Sequence, residues 1–484
     1  MVQRYDSVVI GAGLGGLTAA ALLARAGRKV LLVERNTSVG GAASTYKVGD
    51  LVVEAALHET SDPRHRRDPK HATLSRLGLL DAVEWVPVGA LYEVRGGPVG
   101  EPFLLPDGFA PARDAMAARF PGSRAGAATL LGEMEALASK PDASDASHAT
   151  LSEAFAAALG DDEAAKCALA ANLAYFHDDP RTFAWNAFAR FQGAYLGSGG
   201  RFIRHGSQRL SNALRRVIQQ GGGTVLLRRR VTEVQLGADG RPAALVHVAK
   251  DGDDAQTVET ATVVSNAAPA VLAELLPQVA RAQLAAETTR RAPSISLFQA
   301  TFGLSAPPSQ FGVRAYSTVL LPAWMRRLDD YARAAACVQS PEETPPPLTM
   351  VDYSQVDSGF GGPPHLVSVL GVDSLQNWAG IEGLAYVEKR ARLLDAVLRE
   401  LDRTFPGFAA HVVSKSMNTA QSMRSYLNAP HGSVYGFAPV PHAEPSARTP
   451  LPGLYLTGSY AAAGGFNGAI AGGAAAADAV LAEP

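Results

Sequence analysis

The sequence predicts an α/β protein whose chain starts in a parallel sheet covered on both faces and returns to that sheet at its end. Three observations lead there. Residues 8–35 read VVIGAGLGGLTAAALLARAGRKVLLVER; a second glycine pair follows at Gly40 and Gly41; and residues 452–468, PGLYLTGSYAAAGGFNG, present another apolar strand with glycines that open an Ala-rich helix.

The first stretch divides into elements by its own chemistry. Val8, Val9 and Ile10 make a continuous apolar strand of the kind buried in parallel sheets. Gly11, Gly13 and Gly16, with Leu14 and Gly15 between them, then fill a GxGxxG pattern. The first glycine allows the tight turn, the second lets backbone approach a pyrophosphate, and the third lets the helix lie against the strand. A helix is predicted over 17–26 with Gly27 as its stop, then a strand over 30–33. Glu34 ends that strand, 23 residues after Gly11, and Arg35 follows. A carboxylate there accepts hydrogen bonds from ribose hydroxyls and repels a 2′-phosphate, so the dinucleotide is FAD or NAD rather than NADP. The free N–H groups of the helix meet the phosphate charge.

The continuation favours FAD. Gly40-Gly41-Ala42-Ala43-Ser44-Thr45 resembles the extended FAD signature of glutathione-reductase-like flavoproteins, whose amides and hydroxyl approach the pyrophosphate. At the far end, Gly458 and Ser459 follow a strand, and Gly464-Gly465-Phe466-Asn467-Gly468 leads into a helix. Such a loop places N–H groups against the ribityl chain and the electron-rich edge of a flavin. The two ends together predict one FAD site.

Composition narrows the function classes. With 484 residues, 47% hydrophobic and 19% charged, the chain is long enough for two domains and globular in character. A net charge of -2 gives no general attraction for nucleic acid. Cys167 and Cys337 form neither a disulfide framework nor a CxxC motif, so a reducing, cytoplasmic compartment is expected. There is no HExxH, GxSxG or second GxGxxG after a strand, which leaves hydrolysis, metal catalysis and direct reduction by a nicotinamide without a foothold. Residues 459–482 contain five Gly, Asn467 and Asp478 and make a poor membrane span.

On these motifs the chain resembles the phytoene desaturase, carotenoid isomerase and retinol saturase family of FAD-dependent oxidoreductases. The resemblance rests on residues 11–34, Gly40-Gly41 and residues 452–473, with a middle block at Arg204-His205-Gly206-Ser207-Gln208-Arg209-Leu210, residues 222–225, 231–234 and 263–267. It implies a glutathione-reductase-like FAD-binding Rossmann domain assembled from three segments, 1–95, 196–275 and 415–484, with the Val231 backbone beside the adenine. It also implies a discontinuous α+β substrate domain from the insertions 96–195 and 276–414. The first insertion is helical in pattern; the second mixes a strand-like run at 295–301, a loop at 341–347 and a helix near 386–404. Ala42 and Ala56 depart from the family, which more often carries Arg and Gly there, and residues 201–205, RFIRH, are unusually charged.

The implied reaction is dehydrogenation of an apolar isoprenoid, polyene or fatty-acyl-like substrate by hydride transfer to flavin N5, with electrons passing to oxygen or a quinone. A redox-neutral isomerase, a saturase and a natural-product oxidase use the same fold, and a non-catalytic relative of the prenyl-protein chaperones is a different class. Glu54 and His58 lie where the family's chain returns towards the flavin, and His58 is a candidate donor or proton shuttle near neutral pH, or else a structural histidine. Arg204 and His205 are the next candidates, for the polar head of a substrate or for fixing their loop. Tyr175, Phe176, Trp185, Phe188, Phe191 and Tyr195 line an apolar tunnel or form core. The helices between about 110 and 195 are expected at an opening that meets the membrane surface, giving reversible contact with anionic lipid.

Overall fold

The strand Ser7–Ile10 is buried on both faces at the centre of a five-stranded sheet, as its uninterrupted apolar run requires. The order is Thr224–Leu226, Val30–Val33, Ser7–Ile10, Val263–Ser265, Leu454–Leu456, all parallel. The strands thus come from three stretches of chain separated by two long excursions. The first helix, Leu14–Arg25, lies buried between this sheet and the last helix, Gly465–Leu481. The computed structural model describes residues 2–56, 58–139, 148–250, 252 and 254–483.

The excursions build a seven-stranded sheet in the order Val412–Asn418, Ser296–Leu304, His365–Asp373, Leu348–Asp352, Ser317–Leu321, Tyr92–Gly96, Gly100–Leu105. The strand Ser296–Leu304, second in that order, shows why it folds so. In SLFQATFGL, Phe298, Ala300, Phe302 and Leu304 pack with Leu393, Val397 and Leu401 of the helix Gly383–Thr404, while Leu297 and Gln299, one residue out of phase, line a cavity on the other face. This sheet begins at Tyr92 and ends at Asn418, slightly outside the segments 96–195 and 276–414. The hairpin Tyr92–Leu105 turns on Gly96 and Gly97, both at positive φ, so the first excursion opens with strands and not with a helix.

After that hairpin come helices, Phe109–Arg119, Arg124–Ser139, Leu151–Leu159, Glu163–Leu169 and Trp185–Ser198; residues 140–147 lie outside the described residues. Their apolar side chains point inward, and no large hydrophobic side chain described between 110 and 195 is exposed. Among the described residues these helices thus show no strongly exposed large apolar side chain of the kind an opening to a membrane surface would present. The exposed large hydrophobics, among them Leu104, Val279, Leu384 and Val387, lie elsewhere in the chain. No helix among the described residues is long and apolar enough to cross a membrane. Cys167 and Cys337 are both buried and unbridged.

Candidate active site

Two backbone ends meet at the nucleotide half of the site. A Cβ on Gly15 would lie 2.2 Å from the Cα of Gly458, and one on Gly16 would lie 2.1 Å from the carbonyl oxygen of Gly11. Only glycine permits such contact, so the first helix, the turn after Ile10 and the loop after Leu456 touch main chain to main chain. Asn266, just past the strand Val263–Ser265, locks the junction by accepting from the Gly16 amide at 3.1 Å through its Oδ1. Nothing in the local pattern around Asn266 advertised this role; its partner is 250 positions away.

Glu34 is buried, and each carboxylate oxygen accepts a backbone amide, Ala12 at Oε2 and Asn36 at Oε1, both at 2.7 Å. These bonds fix the carboxylate on the cavity wall, and its remaining lone pairs are available to ribose hydroxyls. Neither Gly13 nor Gly464, the residues that open the first and last helices, supplies a side-chain cap. Both helix ends thus keep donors for a ligand. The glycine cradle, the uncapped helix starts and the carboxylate fit FAD.

One cavity of about 1620 Å3 runs from this cradle into the second domain. Ordinary small-molecule pockets span about 300–1,000 Å3, so there is room for a dinucleotide and a second ligand. Gly11, Gly13, Leu14, Gly15, Glu34, Arg35, Gly40, Gly41, Ala42, Val231, Ser459, Gly465, Phe466 and Asn467 line it. Gly16 and Gly458 stand behind the wall as packing positions. Arg35 donates to the carbonyls of Ser425 and Tyr426 at 2.6 and 2.7 Å, which ties the cradle to the chain that closes the cavity. That closing chain, much of residues 426–445, is irregular and rich in proline, and its contribution to the cavity was not anticipated from sequence.

The other half is apolar. Leu297 and Leu370 from the large sheet form one side, and Tyr175, Phe176, Phe191 and Tyr195 another. The aromatic stripe is split: Trp185 and Phe188 pack edge-on against Phe155 in the helical core and do not line the cavity.

The expected catalytic side chains separate. His58 lines the cavity with both ring nitrogens engaged, Nδ1 with the Tyr175 hydroxyl at 2.7 Å and Nε2 with Ser368 Oγ at 2.9 Å. Burial pushes its pKa from the usual 6.5 down to about 3. A charge on His58 is therefore disfavoured, and its two hydrogen bonds fit the structural alternative better than a proton shuttle near neutral pH. Glu54 does not line the cavity; its carboxylate accepts from Thr45 Oγ1 at 2.6 Å, the Ser207 amide at 2.9 Å and the Ser207 hydroxyl. It is a buried knot that ties the strand Leu51–Glu54 to the helix Gln208–Gln220.

Arg204 and His205 lie outside as well. Arg204 pairs with Asp357 at 3.1 Å and Glu84 at 3.7 Å, and His205 is an exposed turn residue at φ 66°. Neither lines the cavity, so a substrate head-group role is replaced by fixing the surface turn. Arg201 is held by Asp62 at 2.9 Å.

Two charged groups were missed. Lys70, fully buried, pairs with Asp68 at 3.0 Å, donates to Ser61 Oγ at 2.8 Å and reaches Asn467 Oδ1, so it positions a side chain on the first turn of the last helix. Glu59 lines the cavity beside His58, and burial, helped by the Asp107 carboxylate, raises its pKa from the usual 4.5 to about 8. No group of three or more His, Cys, Asp or Glu among the described residues is arranged to hold a metal ion.

A parallel sheet assembled from three stretches, a glycine cradle, a ribose-facing acid and an adjoining apolar chamber define an FAD-dependent oxidoreductase. Residues 14–481 match the family of flavin-containing amine oxidoreductases, and the chain belongs to it. Among characterised relatives, the all-trans-retinol 13,14-reductase of Rattus norvegicus is 24% identical over 539 residues, covering 99% of this chain and 86% of the relative. Prolycopene isomerase 1 of an Oncidium hybrid cultivar is 27% identical over 118 residues, 23% of this chain and 19% of that one. An oxidoreductase from Methanosarcina mazei, of solved structure, shares the fold with a TM-score of 0.68 at 18% identity, over 98% of this chain and 99% of that one.

Proposed function

We propose that the protein exchanges a hydride between bound FAD and a carbon–carbon bond of an apolar isoprenoid or polyene. The observation that carries this reading is the continuity of one cavity from the glycine cradle into a chamber walled by Leu297, Leu370, Phe176 and Phe191. Dehydrogenation, which the sequence resemblance implies, and reduction, named in the retinol reductases, are two directions of the same step. Reduction is the direction we favour, because those relatives match along nearly the whole chain.

When bound, FAD supplies the hydride chemistry at its N5. The chain's own residues bind, orient and exclude water. Gln299 donates to Ser368 Oγ at 2.9 Å and to the Glu54 carbonyl at 2.7 Å, and with His58 and Tyr175 this makes a neutral hydrogen-bonded wall. A neutral wall suits an apolar ligand, since it asks for no counter-charge. Burial also opposes ionisation of the Tyr175 hydroxyl, so it stays a donor.

The test is anaerobic incubation of the photoreduced holoprotein with all-trans-retinol, a cis-carotenoid and limonene, followed by mass spectrometry. A product heavier by two hydrogens, with reoxidised flavin, is expected for at least one probe. Inertness to all three, combined with bleaching of the oxidised flavin by a primary amine, refutes the reading.

A further inference from the structure

Glu59 and Asp107 press against two adjacent glycines from different parts of the chain. A Cβ on Gly200 would lie 3.0 Å from Glu59 Oε2, and one on Gly199 would lie 2.9 Å from Asp107 Oδ2. Glu59 Oε2 and Asp107 Oδ1 are both buried, and neither has a hydrogen-bond partner among the described residues. An ionised carboxylate is seldom left in that state, because an unpaired buried charge is costly while a neutral carboxyl is far less so. Ala55, Ala56 and His58 line the same cavity as Glu59, so Glu59 stands on a stretch of chain that walls this cavity.

Resting on the proposed hydride exchange, we propose that Glu59 is the catalytic residue that transfers the proton to the substrate, with Asp107 as its positioning residue. Saturation of a C=C bond requires one hydride and one proton. The hydride, carrying two electrons, comes from reduced FAD to one carbon; the proton comes from the Glu59 carboxyl to the other. Two C–H bonds form, the π bond is lost, Glu59 is left as carboxylate and FAD is left oxidised. Water returns the proton to Glu59, and an external two-electron donor recharges the flavin. In the dehydrogenating direction Glu59 carboxylate takes the proton.

The groups around the pair favour holding a proton there. Burial opposes ionisation of Tyr92, Tyr175, Tyr195 and Tyr316, while the Gly108 and Gly200 amides and the Arg201 charge act on Asp107 against its burial. Arg201 is engaged by Asp62, and Asp107 raises the proton affinity of Glu59 as a like charge does. The Tyr195 hydroxyl donates to the Glu59 carbonyl at 3.4 Å and so fixes the main chain rather than the carboxyl.

The experiment compares wild type, Glu59→Gln, Glu59→Asp and Asp107→Asn as FAD holoproteins. Infrared titration should show a wild-type carboxyl band that is lost near pH 8, absent in E59Q and shifted to lower pH in D107N. With all-trans-retinol as probe, E59Q should retain FAD but lose about 10²–10⁴-fold in kcat, the usual contribution of a positioned acid, with partial rescue in E59D. In D107N the alkaline limb of the rate profile should move to lower pH. A missing titrating band in wild type, or E59Q turnover at the wild-type rate, overturns the proposal. If wild type converts no apolar probe, the proposed substrate class falls and the infrared band alone decides for or against a proton held by Glu59.

Discussion

Replacing Asn266 by Ala should weaken FAD binding by loosening the glycine cradle that its side chain clamps. Its Oδ1 accepts from the Gly16 amide at 3.1 Å, and its Nδ2 lies 2.5 Å from where a Cβ on Gly13 would stand. Removing the amide leaves the Gly16 N–H without its partner, which costs about 1–3 kcal/mol. At 1.4 kcal/mol per factor of ten, the dissociation constant should rise by roughly 5–150-fold if the loosened cradle bears the whole cost. The same geometry predicts coupling. Gly13→Ala clashes with the Asn266 amide and with no other atom within 4 Å, so it should cost less in the N266A background than alone. Residues in contact commonly show coupling of about 0.5–3 kcal/mol. Fluorescence titration of the four apoproteins with FAD at fixed salt reads the cycle. Wild-type affinity in N266A, or strict additivity, refutes the clamp.

Three further outcomes follow from buried charge. Lys70→Met leaves the fully buried Asp68 carboxylate unpaired and should destabilise the fold by about 3–5 kcal/mol in denaturant titration, with D68N in the same chain recovering part of the loss. Because the folded-state pKa of His58 is depressed from 6.5 to about 3, its contribution to stability is full above pH 6.5 and fades as pH falls towards 3, at about 1.4 kcal/mol per unit; H58Q should flatten the acid limb of a thermal-stability profile. Glu59 has the opposite sign: its pKa is raised from 4.5 to about 8, so its contribution is full below 4.5 and is lost as pH rises through 8, and E59Q should flatten the alkaline side.

The nucleotide half was legible because its physics is local. A tight turn, a helix start and a strand-ending acid are set within residues 8–35, and the elements Ser7–Ile10, Leu14–Arg25 and Val30–Val33 appear within a few residues of expectation. The acid's function was legible, but its backbone partners Ala12 and Asn36 became visible only in the fold. The catalytic half was not legible, since it is assembled from distant stretches. Glu59, Asp107 and the Gly199-Gly200 pair meet only after three separate stretches of chain fold together, and Asn266 meets Gly16 across 250 positions. Arg204 and His205 misled for the converse reason: charge in a motif marks a substrate site only if it faces the cavity, and the positive φ of His205 turns this corner to solvent.

The most direct test of hydride exchange within one continuous cavity follows a label. The bound FAD is photoreduced in D2O, so that its exchangeable N5 position carries deuterium, the holoprotein is mixed anaerobically in D2O with all-trans-retinol or another polyene that reoxidises it, and the product is analysed by mass spectrometry and NMR. The account predicts two deuteriums, one on each carbon of the former double bond, matched to each flavin reoxidised. Reoxidised flavin with no deuterium in the organic product would contradict it.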